Sequence, residues 1–256
     1  MPVRRSSDPI EAVLAGRDRP TRADGDHLDI KGTGPPVSIM RLIAFDFDGT
    51  LSDSEMTVLL ARRAGVEADV AEITERAMND ELSYAESLRE RAALLEGLPE
   101  KDVTAAYGEV TLRPGAARLI ERLREEGHNV AILTGGFDRG VEAALESAGV
   151  EVDHLIANRL PIRGGRLNGN VGGPLVDGTK DEALEDLAEE VGVPMTRTVA
   201  VGDGANDLPM LEVAGLSVGY LPKDAVRPAC DVVVASMSRL ARVFEERGLL
   251  SARNER

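Results

Sequence analysis

The apolar run Leu42-Ile43-Ala44-Phe45 ends in Asp46-Phe47-Asp48-Gly49-Thr50. Side chains two apart on a strand share a face, so Asp46 and Asp48 start on the same side where the strand runs out into a Gly-Thr turn. Carboxylates that close repel each other unless a cation lies between them or one takes up a proton. Taken alone, the motif is equally well read as an acidic strand end that caps the next helix or faces solvent.

Three later segments shift that balance. Val130-Ala131-Ile132-Leu133 is a second short apolar run, ending in Thr134-Gly135-Gly136 before a helical stretch from about Phe137 to Ala148. A hydroxyl and backbone N–H groups at a helix N-terminus make a natural anion site. Lys180 opens an amphipathic helix whose apolar face carries Leu184, Leu187, Ala188 and Val191. A cation in a first helical turn opposes the macrodipole, so an anionic neighbour is expected to compensate it. Finally, the strand Thr198-Val199-Ala200-Val201 runs into Gly202-Asp203-Gly204-Ala205-Asn206-Asp207, again carboxylates at a strand end with glycines that permit close approach. Singly, Thr134 serves as an N-cap, Lys180 as a solvated charge, and Asp203 and Asp207 as turn residues. Together, all four lie at the carboxyl ends of strands or the starts of the following helices, where open α/β sheets bind ligands. The set offers carboxylates for a hard divalent cation and a hydroxyl, a lysine and amides for phosphate. Mg²⁺ suits all-oxygen ligation completed by a substrate phosphate.

In order and over about 165 residues, these segments resemble the motifs of the haloacid dehalogenase superfamily of phosphohydrolases. The resemblance implies a doubly wound, mainly parallel α/β sheet of Rossmann-like type, with a small helical cap inserted after the first strand. It implies Asp46 as the nucleophile that becomes an aspartyl phosphate. Asp48 is implied as general acid and base, which also gives its backbone carbonyl to Mg²⁺. Thr134, Gly135 and Lys180 are implied to hold phosphate, Asp203 to bind the metal with Asp46 and Asp48, and Asp207 to support it.

Residues 58–110 are helical in pattern, with Val58, Leu59 and Leu60, then Val70, Ile73 and Ala77, then Leu82, Leu88, Ala92 and Leu95. The stretch is too long for an ordinary loop and is expected to form a cap over 55–110 that excludes water and reads the leaving group. Within it, the segment from Met78 through Tyr84 to Arg91 resembles the cap of phosphoserine phosphatases. That resemblance implies Glu55 for a substrate ammonium and Arg91 for its carboxylate, where a guanidinium fork gives bidentate pairing. It further implies Met78 and Tyr84 as residues that close over the substrate, and Asn206 as a substrate contact or loop orienter. The expected partner is thus a small phosphorylated amino acid. Without the resemblance, Glu55 is a first-turn helix acid, and Arg89 and Arg91 are partners for Glu86, Glu90 and Glu96. Gly49 and Thr134 stand where many phosphoserine phosphatases have Ser, and Tyr84 where Phe is usual. The tyrosine adds a hydrogen bond or narrows the pocket. Passing the phosphoryl group to another alcohol remains an alternative to hydrolysis, as does another small phosphorylated metabolite as substrate. A phospho-accepting signalling receiver also uses acids, a hydroxyl and a lysine, but lacks a cap and the second acid.

Charge narrows the partners. Forty-five acids against 30 bases leave a net charge of −15, which repels nucleic acid and anionic membranes. Lys is scarce among those bases, so Lys180 is unlike surface filler, and the excess of acid with Arg in place of Lys fits a salt-adapted proteome. Cys230 is the single cysteine, which excludes an intramolecular disulfide and suits the cytoplasm. Neither a bilayer-spanning run nor a secretory signal is apparent, and the oligomeric state is open. Residues 1–39 are charge-balanced, rich in Pro, Gly, Ser and Asp, and without period, and are expected to be disordered. Met40 is then the expected true start, with a flexible tail or a targeting arm as alternatives, and the phosphohydrolase domain spans 40–256. Residues 162–174 are expected to form a β-hairpin with Gly-Gly and Asn-Gly turns, and 238–250 a closing helix.

Overall fold

The computed structural model describes residues 39–252, so the tail expected over residues 1–39 lies outside them but for its last residue. Strand β1 (Leu42–Phe45) alternates its side chains between two apolar environments. Ile43 and Phe45 enter one buried cluster, Leu42 and Ala44 another. A strand buried on both faces needs helices on both sides, which is why it reads as an unbroken apolar run.

Six strands form one parallel sheet in the order β3-β2-β1-β6-β7-β8. They are β1, β2 (Asn129–Phe137), β3 (His154–Asn158), β6 (Thr198–Gly202), β7 (Leu216–Tyr220) and β8 (Val232–Val234). β1 is central, with Phe45 in register with Ile132 of β2 and Val201 of β6. This register brings Asp46, Thr134 and Asp203, far apart in the chain, to one carboxyl edge. Sequence pattern ends the second strand at Leu133, whereas β2 continues to Phe137 through an irregularity between Thr134 and Phe137. Pairing to β3 carries the glycines along as strand, a non-local effect that an apolar-run criterion misses.

Ala44 lies between Ala131 and Ala200 in the same register, making a row of small residues across three strands. Leu184, Leu187 and Ala188 of helix α7 (Lys180–Glu190) are buried in the cluster that contains this row. Alanines let the helix sit close to the sheet. Truncating the fully buried Leu184 to Ala is expected to cost about 2–5 kcal/mol.

Between β1 and the sheet-packing helix α5 (Ala116–Glu125) lie α1 (Met56–Ala64), α2 (Glu67–Met78), α3 (Tyr84–Leu94) and α4 (Glu100–Tyr107). This insertion shares one apolar cluster with the sheet through Leu60, Val70, Leu88 and Val103. The hairpin β4 (Ile162–Arg163) and β5 (Arg166–Leu167) turns through Gly164 and Gly165, both at positive φ as a tight two-residue turn requires. It bonds to the α3–α4 link, with Gly97 N–H donating to Leu167 O at 2.9 Å and Leu167 N–H to Leu98 O at 3.0 Å. After α6 (Asp138–Ala148) on the β2–β3 connection and α8 (Leu208–Val213) after β6, helix α9 (Met237–Glu246) closes the chain. It buries Leu240, Val243 and Phe244. Among the described residues, no helix is long and apolar enough to cross a membrane.

Candidate active site

The backbone of Asp46 extends the β1–β6 pairing, its N–H donating to Val201 O at 2.8 Å, so its carboxylate emerges buried at the sheet edge. Lys180, the first residue of α7, donates to Asp46 Oδ1 at 2.5 Å and to Asp207 Oδ1 at 2.6 Å. These two carboxylates are the anionic compensation that a lysine at a helix start demands. Burial alone would lower the Lys180 pKa, but Asp207 and Asp46 outweigh it and keep the ammonium charged. Asp207 is completed by the loop it belongs to, its Oδ2 accepting the N–H groups of Asp203 (2.8 Å) and Gly204 (2.9 Å).

Asp203 is less satisfied. Its Oδ1 accepts from Thr50 Oγ1 at 3.4 Å, and Lys223 Nζ lies 3.8 Å from Oδ2. Burial, then Asp207, pushes its carboxyl up to about 6. Burial and Asp207 likewise push Asp46 above the ordinary range, against the pull of Lys180. Oxygens of Asp46, Asp203 and Asp207 lie within 4.8 Å of one another, and the three acids face one buried ammonium, Lys180, and the exposed, more distant Lys223. That shortage of positive charge, in an all-oxygen donor set, fits a hard divalent cation held by Asp46 and Asp203. Both Asp207 oxygens are already engaged, which fits it to orient its neighbours. Gly49, at φ +84°, packs directly under the Asp203 carboxylate, where any side chain would collide.

Asp48 has a different environment. Its Oδ2 accepts from Met56 N–H at 3.4 Å, while Oδ1 is buried without a protein partner among the described residues. Burial first, then Glu55 and Asp46, hold its carboxyl well above the ordinary range, so it favours the protonated form. Asp46 is bonded to Lys180 whereas Asp48 has no cationic partner among the described residues, a difference in environment that suits one acid to be nucleophile and the other proton donor.

Thr134 is buried on the same edge, and its hydroxyl oxygen accepts Gly136 N–H at 3.0 Å. That amide is therefore occupied locally, while the hydroxyl proton remains for a ligand. Asn158, at the end of β3, is fully buried and donates to Gly135 O at 3.1 Å. Its Oδ1 accepts Leu175 N–H at 3.1 Å. One amide thus ties the Thr134-Gly135-Gly136 segment to the loop that leads to Lys180. Arg113 braces the other side, donating to Gly49 O at 3.1 Å while its guanidinium lies 5.3 Å from the Tyr220 ring centre. Sequence reasoning missed both residues. A polar residue closing a strand, and an arginine where the insertion rejoins the core, were the available signals, but neither is specific.

The remaining expected residues come from the insertion. Glu55 is exposed just before α1, and its charge acts on Asp48, Asp203 and Arg91. Arg91 donates through Nε to Ser87 O at 3.2 Å, and its terminal nitrogens have no carboxylate partner among the described residues. Among the described residues the helix salt bridges that would have explained it are absent, since Glu90 pairs with Arg76 and Glu86 caps Ser83. Arg89, two residues away, instead pairs with Asp177 of the loop before α7 at 2.6 Å. Tyr84 reaches Gly135, and with Asn206, Pro209 and Lys180 they line a cavity of about 120 Å³. Met78 does not join this group in the structure. It ends α2 with 75% of its surface exposed.

A buried acid held above its ordinary pKa, a lysine-paired acid and an acidic cluster short of cations, at the carboxyl edge of a parallel sheet, suit a hydrolase that works on an electrophile through an aspartate. The chain belongs to the haloacid dehalogenase-like hydrolase family, which it matches over residues 43–212. It is 54% identical over 210 residues to the phosphoserine phosphatase of Halobacterium salinarum, covering 82% of this chain and all of that protein. Two solved structures also resemble it. One is described as a phospho-aspartyl intermediate analogue of phosphoserine phosphatase, with TM-score 0.73, 38% identity, and coverage of 80% of this chain and 98% of that one. The other is a substrate-bound phosphoserine phosphatase complex, with TM-score 0.73, 37% identity, and coverage of 82% and 98%. Phosphatases of this family use a metal ion, in keeping with the acidic cluster.

Proposed function

We propose that the chain hydrolyses O-phosphoserine to serine and phosphate in a Mg²⁺-dependent reaction, with Asp46 as nucleophile and Asp48 as general acid and base. The observation that carries the substrate is a pair of opposite charges, Arg91 and Glu55, that feel each other but form no salt bridge among the described residues, with Glu55 also acting on Asp48 and Asp203 of the site. An amino acid offers the matching carboxylate and ammonium, and the similarity to phosphoserine phosphatases supports the same choice.

The carboxylates of Asp46 and Asp203 and the backbone carbonyl of Asp48 would hold Mg²⁺, which would supply neutralisation of the negative charge that opposes attack on a phosphate dianion. Thr134 and Lys180, with the Gly135 amide, share the charge on the phosphoryl oxygens, which is the main demand of phosphoryl transfer. An Asp46 oxygen forms a bond to phosphorus as the ester bond to the serine oxygen breaks. Asp48 gives its proton to that oxygen, because an alkoxide is a poor leaving group. As an anion, Asp48 then takes a proton from the water that attacks phosphorus, freeing Asp46 and releasing phosphate. Helices α1–α4 act as a cap over this cleft, Tyr84 closes over the substrate, and Asn206 orients the loop it shares with Asp203. A reducing cytoplasm suits the free Cys230.

The test is steady-state phosphate release in molar KCl with Mg²⁺, comparing phosphoserine with phosphothreonine, phosphoethanolamine and glycerol phosphate, with Asp46→Asn as the blank. A marked preference for phosphoserine is expected. Equal slow turnover of all four removes the substrate assignment, and phosphoryl transfer to an added alcohol in place of water removes the hydrolase.

A further inference from the structure

Tyr84 begins α3 from a fixed start. Ser83 and Glu86 cap each other, with Glu86 N–H donating to Ser83 Oγ at 3.2 Å and Ser83 N–H to Glu86 Oε2 at 2.9 Å. Such a reciprocal box sets the direction in which the first helical side chain leaves the backbone. The ring edge faces solvent, with the residue 40% exposed, while the hydroxyl end turns inward onto Gly135. A methyl group on Gly135 would run into the phenol oxygen. Gly135 has no positive φ, so its missing side chain answers a need for space and not for backbone freedom.

This places a hydroxyl directly on the Thr134-Gly135-Gly136 segment, within the fields of Lys180, Arg91, Asp46 and Asp48. Burial pushes the phenol's pKa up, so the group is a neutral donor throughout the working pH range. Among the described residues it has no hydrogen-bond partner. Unbonded to protein and facing the cavity that Gly135, Lys180 and Asn206 also line, the hydroxyl is placed to donate to a ligand there. Beside the hydroxyl lie the Gly135 backbone and Lys180, the groups that hold phosphate in the proposed function, so the ligand atom it fits is a phosphoryl oxygen.

We propose that the Tyr84 hydroxyl is a further phosphate-binding group, donating to a non-bridging oxygen of the phosphoryl group held at Asp46. It rests on the phosphomonoester reading of this site, though not on the identity of the alcohol. The phosphate subsite of this chain thereby has one donor beyond Thr134, Gly135 and Lys180, and inorganic phosphate, as product, is held more firmly.

The experiment compares Tyr84→Phe with the unaltered chain, both with Mg²⁺. It measures inorganic phosphate as a competitive inhibitor of p-nitrophenyl phosphate hydrolysis, and its binding directly by calorimetry. Loss of one hydrogen bond to a charged oxygen weakens phosphate by about tenfold or more, with the melting temperature of the phosphate-free protein unchanged. Unaltered or tighter phosphate binding overturns the proposal and leaves the hydroxyl as a space-filler. If phosphoserine is not turned over and phosphate still binds the variant about tenfold more weakly, the substrate assignment fails and this one stands.

Discussion

The carboxyl edge of the sheet and the helical insertion treat charge in opposite ways. At the sheet edge, Asp46, Lys180 and Asp207 are buried and joined at 2.5 and 2.6 Å, and loop amides complete Asp207. In the insertion, Glu55 and Met78 are exposed and Arg91 has no carboxylate partner among the described residues. A buried ion group loses so much hydration that stability alone is a poor reason to keep it. The edge is therefore organised before a ligand arrives, as charge stabilisation in phosphoryl transfer requires. The insertion leaves its charges for the ligand to satisfy. Helix α3 shows both treatments within two residues, Arg89 tied to Asp177 and Arg91, among the described residues, bonded only to the Ser87 carbonyl.

If the edge carries the chemistry, Asp48→Asn breaks the comparison most severely. Turnover should fall by about a hundredfold to ten-thousandfold, the usual contribution of a general acid, with the melting temperature little changed. A loss within a factor of a few would move the proton donor elsewhere.

Arg91 and Arg89 sharpen the other half. Arg91→Ala should raise the KM for phosphoserine by about ten- to a hundredfold through loss of charge-assisted hydrogen bonds. Phosphoethanolamine, which has no carboxylate, should be almost unaffected. Arg89→Ala should weaken both substrates alike, because it acts on the insertion's attachment, so selectivity ratios from steady-state kinetics separate the two. Equal ratios in both variants would mean that Arg91 does not read the carboxylate.

The cation deficiency at the edge has a pH signature. Asp203 and Asp46 have folded pKa values raised above their unfolded ones, so their ionisation destabilises the metal-free fold progressively as pH rises through about 6 and beyond. A bound cation removes that penalty and competes with protons for the same oxygens. The rise in melting temperature with Mg²⁺ should therefore be small at pH 5 and larger at pH 8, by about 2–4 °C for each kcal/mol relieved. Asp203→Asn should flatten this dependence.

The smallest effect is expected outside both regions, at His128. Its Nδ1 accepts Arg41 N–H at 3.3 Å, so Nε2 carries the proton and donates to Leu249 O at 2.8 Å. Burial lowers its pKa below 6.5, so its contribution to stability is present above that value and lost as pH falls beneath it. Thermal melts of His128→Gln should lose this acid-side component while activity with Mg²⁺ keeps its pH profile. A shifted activity profile would mean that the closing helix and the catalytic edge are coupled.

Strand-end acids and apolar periodicity are local properties, legible in short windows, and they determined the parallel α/β class and singled out Asp46, Asp48, Thr134, Lys180, Asp203 and Asp207 as candidates. Each sits beside the apolar run or helix start that positions it, so the neighbouring residues define its place. Only the tertiary structure decided the rest. The alanine row needs the registers of three strands, the extension of β2 needs its pairing to β3, and Asn158 needs Gly135 and Leu175 delivered to either side of it. Which of Arg89 and Arg91 pairs with a carboxylate depends on where Asp177 lies, and the reach of Tyr84 depends on a missing side chain on another element. Such contacts are set by how elements pack, and packing leaves no periodic trace along the chain.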